Sequence, residues 1–343
     1  MKKVLALALA AVMGLSMVAC GSKAPAEPEA PALTYKTGLG TVISVSKTNE
    51  DVEAEKGASA QVNTTIVAAT FDSNDTIVSV DIDVAQQKAS FDLEGKLAGA
   101  VDLRTKIEKQ GDYGMIGASA IGKEYFEQID ALEAWMTGKT LAEVTGMATY
   151  ERDANHTACP DVEDLKATCT ITVGDYLTAL QEAYDTAVEC AGVPAKTGYG
   201  VEISASVKDA TAETGASAQI NTNMMVVSLD AEGKVVAAIL DVAQQKAAFD
   251  LEGKLAGEVD LRTKVEKEGD YGMKGVSAIG KEYFEQAKAY TEWMTGKTVA
   301  EVLEMPTYER DASHTACPDV EELKASCTIT VGDYLKAFAE ATK

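Results

Sequence analysis

The sequence has little histidine, an excess of acidic over basic side chains and, beyond its N-terminus, no apolar run long enough to span a membrane. Among 343 residues there are 2 histidines, and 31 lysines and arginines stand against 54 aspartates and glutamates, so the formal net charge is −23. Such a surface repels phosphate backbones, which argues against nucleic acid as a partner. So few histidines offer little general acid–base machinery.

Several catalytic and binding motifs are also missing. The chain has neither a Ser-His-Asp nor a Cys-His-Asn order, and no Walker or Rossmann glycine loop. It has no Asp-x-Asp-x-Asp-Gly loop, so the acidic run at residues 50–55 favours solubility, with calcium binding as the alternative. The sequence therefore favours a carrier or binding protein over a hydrolase.

The chain repeats itself over the length of a domain. The segment 83–88, Asp-Val-Ala-Gln-Gln-Lys, returns 158 residues later at 241–246. That period is close to one ordinary domain and far beyond a solenoid unit. We therefore predict two homologous domains in tandem, copy 1 over residues 34–190 and copy 2 over residues 191–343.

The offset between the copies is larger near their starts. The segment 37–40, Thr-Gly-Leu-Gly, matches Thr-Gly-Tyr-Gly at 197–200, which is an offset of 160. Copy 1 thus carries two extra residues, and we expect them in a surface loop near residues 49–55.

The chain begins with the pattern of an export signal. Lys2 and Lys3 precede an apolar stretch over residues 4–18, and small residues then lead to Cys20. This segment resembles the lipobox of bacterial lipoproteins, whose cysteine is acylated and becomes the mature N-terminus. The resemblance implies a signal peptide over residues 1–19 and a lipid anchor at Cys20, on the outer face of the cell membrane. A plain secretory signal is the alternative.

Residues 20–33 have the composition of a flexible tether. Prolines alternate there with alanines and glutamates, and there is no apolar periodicity. No later segment is apolar for long enough to span a membrane.

The front half of each copy has the pattern of strands. In copy 1, residues 60–71 and 76–82 predict a hairpin around a turn at 72–75, and residues 89–93 predict a further short strand. The turn of copy 2, Asp-Ala-Glu-Gly at 230–233, favours the same hairpin.

The back half of each copy has the pattern of helices. Apolar residues recur every three to four positions over 121–136, with Ser119 placed to cap this helix and Gly138 to end it. Residues 140–144 and 173–190 predict two more helices. We therefore predict an α+β fold in which an antiparallel sheet is backed by helices.

The cysteines recur in pairs. Cys159 and Cys169 return as Cys317 and Cys327, ten residues apart in each copy, which favours one small disulfide loop per copy in an exported protein. His156 precedes Cys159 by three residues and leaves a metal site as an alternative. Free buried thiols are the third possibility.

Most aromatic residues have the spacing of core residues on an amphipathic helix. Tyr113 lies between glycines in Gly-Asp-Tyr-Gly at 111–114, and Tyr271 occupies the same position in copy 2. The glycines favour an exposed loop, so we expect these two tyrosines to stack against a planar cofactor.

Four further segments carry a family resemblance. Residues 112–115, 119–128, 137–140 and 170–176 resemble the repeated domain of Gram-positive surface lipoproteins related to the FMN-binding domain family. These lipoproteins are similar to the flavin carriers of extracellular electron transfer. The resemblance extends over each copy nearly end to end and implies FMN as cofactor, with a membrane electron donor and an extracellular acceptor as partners.

The family attaches FMN through a threonine that follows Asp-x-x-Ser/Thr-Gly-Ala. The resemblance places this threonine at Thr170 in copy 1 and Thr328 in copy 2. Thr-Cys and Ser-Cys stand where the family has Gly-Ala, so covalent and non-covalent binding both stay open. Each threonine precedes a helix whose amides can receive a phosphate, and a structural role as an ordinary strand or cap residue is the alternative.

Overall fold

The structure, a computed structural model, describes residues 32–46 and 57–343. The predicted signal peptide, Cys20, most of the tether and the predicted insertion near residues 49–55 lie outside the described residues. Within these described ranges, no helix combines the length and the hydropathy that a membrane crossing requires.

Copy 1 consists of an antiparallel sheet followed by helices. Its sheet has the order β3-β2-β1-β6. The strands of copy 1 are β1 (Tyr35–Ser46), β2 (Ser59–Asp72), β3 (Ile77–Ser90), β4 (Thr149–Tyr150), β5 (Cys159–Pro160) and β6 (Val188–Glu189). Its α-helices are α1 (Lys106–Lys109), α2 (Tyr125–Met136), α3 (Leu141–Thr145) and α4 (Gly174–Asp185).

Copy 2 repeats this arrangement with the sheet order β7-β8-β9. Its strands are β7 (Lys196–Lys208), β8 (Ser217–Leu229), β9 (Val235–Ala248), β10 (Thr307–Tyr308) and β11 (Cys317–Pro318). Its α-helices are α5 (Tyr283–Met294), α6 (Val299–Leu303) and α7 (Gly332–Ala341). The prediction of antiparallel sheets backed by helices is confirmed.

The predicted hairpin joins β2 to β3. Asp72 holds its turn, since its Oδ1 accepts hydrogen bonds from the backbone amides of Asn74 at 2.8 Å and Thr76 at 2.9 Å. The separate strand predicted at 89–93 is wrong. Strand β3 continues to Ser90 because it stays paired with β2 along its whole length, as far as Ser59.

Two helix boundaries differ from the predictions. Helix α2 begins at Tyr125 because a capping box between Glu124 and Glu127 starts it there. Ser119, the predicted cap, instead accepts hydrogen bonds on its Oγ from the backbone amide of Lys123 and the side-chain amide of Gln128. Helix α4 ends five residues before the predicted end at residue 190, because the chain then turns to form β6 against β1.

The central strands are buried on both faces. Val67, Ala69 and Phe71 of β2 pack against helices α2 and α4. Their neighbours Ile66 and Ala68 face the other way, into a core shared with copy 2. The described fold therefore has four layers, with the two sheets face to face in the middle and helices outside each.

Glycine lets helix α4 approach the edge strand β1 closely. A Cβ atom at Gly40 would lie 1.8 Å from the carbonyl oxygen of Ala179, so no other residue fits there without movement. Copy 2 repeats the contact, with 1.9 Å between a Cβ at Gly200 and the carbonyl oxygen of Ala337.

The two copies meet through shared cores, and residues 33–343 form one compact unit. Besides the core between the sheets, Phe91 and Phe249 pack edge to face with ring centroids 5.7 Å apart. The copies therefore do not stand as two units joined by a linker alone. The boundary between residues 190 and 191 stays a prediction.

Candidate functional site

Two of the predicted site residues of copy 1 line one pocket. Tyr113 and Thr170 face a cavity of about 300 Å³, although 57 residues separate them in the chain. Helices α1, α2 and α4 and the loop after β5 surround it. Polar and aromatic side chains complete the lining, among them Lys106, Ser119, Tyr125, Gln128, Arg152, His156, Thr172 and Tyr176.

Tyr113 is less exposed than its flanking glycines indicate. It ends a short 3-10 helix, Gln110–Tyr113, and Gly114 follows with φ of 73°, a conformation that favours glycine. Its ring packs edge to face against Tyr125, with centroids 5.6 Å apart. Tyr113 therefore combines a core contact with a position on the pocket wall.

A lysine lies over both tyrosine rings. The Lys106 Nζ is 5.1 Å from the ring centroid of Tyr113 and 5.0 Å from that of Tyr125. Burial lowers the pKa of Lys106 to about 8, against the opposing attraction of Asp83 and Asp175. The side chain is thus a cation near neutral pH that loses its charge in mildly basic solution.

Thr170 is held by a buried glutamine. The Gln128 side chain, 1% exposed, accepts a hydrogen bond from the Thr170 amide at 2.8 Å, and the Thr170 Oγ1 lies 3.4 Å from the same oxygen. The side-chain Nε2 of Gln128 donates to Ser119 Oγ and to the Lys123 carbonyl. This network fixes the threonine at the pocket.

A second cation lies beside Thr170. Arg152 donates from Nη1 to the Thr170 carbonyl at 3.1 Å, and its Nε lies 3.5 Å from Asp153. Asp153 also holds His156, whose Nδ1 is 2.7 Å away, and this hydrogen bond lowers the pKa of Asp153. The Arg152 guanidinium therefore supplies a positive charge to the pocket wall, and the neighbouring Asp153 positions it.

One polar atom of the pocket has no partner. The Thr172 hydroxyl is buried and makes no hydrogen bond. It precedes helix α4, whose first turn has no side-chain cap at Val173. Backbone amides at an uncapped helix start attract anions, and a free hydroxyl can donate to one.

Copy 2 reproduces these contacts. Tyr271 packs on Tyr283 with centroids 5.7 Å apart, and Lys264 lies over both rings with its pKa lowered to about 8 by burial. The Thr328 amide donates to Gln286 at 2.8 Å. Arg310 donates to the Thr328 carbonyl, and His314 is hydrogen-bonded to Asp311. The buried Thr330 hydroxyl has no partner, like that of Thr172.

The paired cysteines are buried behind the site. Cys159, Cys169, Cys317 and Cys327 are free thiols in the structure, and the disulfides stay a prediction. Burial raises the pKa of Cys169 to about 11 and that of Cys327 to about 12. No group of three metal-ligating side chains occurs among residues 32–46 and 57–343, so the described part of the chain does not support the metal alternative.

Sequence reasoning missed four pocket residues. Lys106, Gln128 and Arg152 were not singled out, and His156 was considered only as a metal ligand. All four recur in copy 2 at the offset of 158. The signal that could have indicated these pocket residues is that the same charged or amide side chain stands at the equivalent position of both copies.

Comparison with known proteins gives one partial similarity. The chain is 30% identical over 127 residues to a protein named chlorophenol reductase from Desulfitobacterium hafniense. The similar region is 33% of this chain and 38% of that protein, so well under half of the relative is matched. No family model matches the chain, and no solved structure matches it.

Proposed function

We propose that the protein is a membrane-anchored, extracytoplasmic lipoprotein in which each copy binds FMN, covalently or not. The observation that carries the proposal is the convergence of Tyr113 and Thr170 on one pocket together with Lys106 and Arg152. An aromatic ring, two cations and a hydroxyl are the groups that a flavin phosphate and its ring system need.

The side chains of the pocket fit FMN at its phosphate end. Lys106 and Arg152 supply charge, the unpartnered Thr172 hydroxyl supplies a donor, and the uncapped start of α4 supplies backbone amides. Tyr113 offers a ring surface for stacking. Flavin supplies the redox chemistry when it is bound, and the protein supplies position and charge.

The proposed setting is the outer face of the cell membrane. The lipid on Cys20 would anchor the chain, and a membrane electron donor and an extracellular acceptor would be its redox partners. The similar protein from Desulfitobacterium hafniense is named a reductase, which supports a redox role. A carrier of electrons needs no general base, in agreement with the scarcity of histidine.

A tethered, non-catalytic binding module is the second candidate. A separate apolar cleft between the copies favours it, because such a cleft can hold a small molecule without any cofactor. Flavin colour in the purified protein separates the two candidates.

Titration of FMN into the full-length chain, followed by flavin fluorescence, tests the proposal. We expect Lys106→Met and Lys264→Met each to weaken one of two sites, and the double variant to weaken both. Lys208→Met is the control, because it removes an exposed charge on β7. Unchanged binding in the double variant would contradict the proposed sites.

Covalent attachment has its own test. If flavin stays on the denatured protein, Thr170→Ala and Thr328→Ala should each remove the flavin of one copy. Thr178→Ala is the control, since its exposed hydroxyl bonds only within helix α4. Full retention of flavin in the double variant Thr170→Ala, Thr328→Ala would exclude attachment at these threonines.

A further inference from the structure

The packing of the two sheets creates two equivalent positions between the copies. Each contains an aspartate from the third strand of one copy and a residue from the first strand of the other. In one position these are Asp83 and Tyr199, and in the other they are Asp241 and Leu39. The repeat offsets relate Asp83 to Asp241 and Leu39 to Tyr199.

Tyr199 extends into the first position and pairs with its aspartate, next to a cavity of about 180 Å³. Its hydroxyl donates to Asp83 Oδ2 at 3.0 Å. The other carboxylate oxygen accepts from the amides of Val84 at 2.7 Å and Ile107 at 3.1 Å. Asp83 is only 1% exposed. A buried carboxylate is thus paired with a phenol that the other copy supplies.

Leu39 leaves the second position open. Asp241 keeps the equivalent amide partners, Val242 at 2.6 Å and Val265 at 3.1 Å, but the leucine offers it no hydroxyl. Asp241 is partly exposed to a cleft of about 210 Å³, whereas its counterpart Asp83 is buried. We call this cavity the Asp241 cleft, lined by Asp241 with Leu39, Val188, Val265, Phe284 and Ala287.

Other substitutions between the copies make the Asp241 cleft roomier and more apolar. Ala287 and Thr291 stand on α5 where α2 has Ile129 and Glu133. Ile239 stands on β9 where β3 has Asp81. The cleft therefore differs from its counterpart in size and polarity as well as in the missing phenol.

We infer that the Asp241 cleft binds a small phenol, whose ring lies against Leu39, Val265 and Ala287 and whose hydroxyl donates to Asp241. The tyrosine that occupies the equivalent position in the same chain is the template for this ligand. The size agrees, since a cavity of about 150 Å³ accepts benzene. Glu182 and Glu266 also line the cleft, so an anion such as FMN fits it poorly.

The test uses p-cresol, which is the tyrosine side chain as a free molecule. Ligand-observed NMR and calorimetry with the full-length chain should find one site, with a dissociation constant of the order of 1 mM or lower. Leu39→Tyr should abolish this binding, because the new phenol occupies Asp241 as Tyr199 occupies Asp83. Tyr199→Leu should add a second site.

Toluene measures the part played by Asp241, since it has the ring and the methyl group without the hydroxyl. We expect it to bind about tenfold more weakly than p-cresol. Should Leu39→Tyr fold poorly, Leu39→Phe fills the same space with a ring that has no hydroxyl. The inference is overturned if the wild-type chain binds no p-cresol, if both filling variants still bind it, or if toluene binds equally well.

Discussion

The hydroxyls of Thr37 and Ser228 lie 2.7 Å apart, although one belongs to copy 1 and the other to copy 2. Thr70 and Thr197 complete a closed ring of four hydroxyls, with the remaining distances at 3.0, 2.7 and 2.8 Å. The repeat offsets exchange Thr37 with Thr197 and Thr70 with Ser228. The ring therefore marks the approximate two-fold axis between the copies.

Breaking the hydroxyl ring should weaken the whole unit. Thr37 and Ser228 are fully buried, and Ser228→Ala leaves the hydroxyls of Thr37 and Thr197 each with one partner fewer. We expect the free energy of unfolding in urea to fall by about 1–2 kcal/mol. Thr178→Ala is the exposed control. A loss no larger than that of the control would contradict a stabilising role for the ring.

Adding a methyl group at Gly40 should displace helix α4 from β1. The new Cβ would lie 1.8 Å from a carbonyl oxygen of the helix, so we expect Gly40→Ala to cost about 3 kcal/mol or more. Gly117→Ala is the matched control, because no atom lies within 4 Å of its Cβ and the change should stay within about 0.5 kcal/mol. Thermal unfolding compares the two, and equal melting temperatures would contradict the close contact.

FMN affinity should fall as the pH rises through about 8. Lys106 and Lys264 have pKa values lowered to about 8 by burial, so deprotonation above that pH removes the positive charge that attracts the phosphate. A bound anion favours the protonated amine, which moves the midpoint upward. Binding of FMN measured from pH 6.5 to 9.5 should show this loss of affinity. The double variant Lys106→Met, Lys264→Met should bind FMN weakly at every pH in this range. A flat profile in the wild-type chain would contradict the role of the lysines.

The cysteine pairs should be oxidised in the exported protein. Intact mass before and after reduction should show two disulfides, and peptide mapping of the unreduced chain should join Cys159 to Cys169 and Cys317 to Cys327. Reduction should lower the free energy of unfolding by about 2–4 kcal/mol. A native mass that corresponds to no disulfide, with five free thiols including Cys190, would contradict the pairing. In that case burial, which raises the pKa of Cys169 and Cys327, should make their alkylation slow.

Local periodicity predicted the hairpin and helices α2, α3 and α4, but it did not predict α1 or β1. Gly38 and Gly40 interrupt the strand pattern, and the reason for them lies in the distant helix α4, whose backbone they accommodate. The shared core was missed as well. The continuous apolar run 66–69 in β2 was its signal, because a strand buried on both faces loses its alternation.

The candidate site was predicted in part for a similar reason. The flanking glycines indicated Tyr113 and the motif resemblance indicated Thr170, and the fold brings both to one pocket. Lys106 and Arg152 lie outside any motif, and only the tertiary structure places their charges beside those residues. The Asp241 cleft depends on a difference between the copies, since Leu39 stands where the other copy has Tyr199. The sequence shows this difference, but only the structure shows that each of these residues faces an aspartate of the other copy.

The measurement that tests the account most directly is native mass spectrometry of the mature chain purified from its own cells. Our account predicts a mass increase of two FMN molecules per chain. Where FMN is held without a covalent bond, one is lost in Lys106→Met and both are lost in the double variant Lys106→Met, Lys264→Met. A chain that carries no flavin, and takes up none from added FMN, would contradict the central claim.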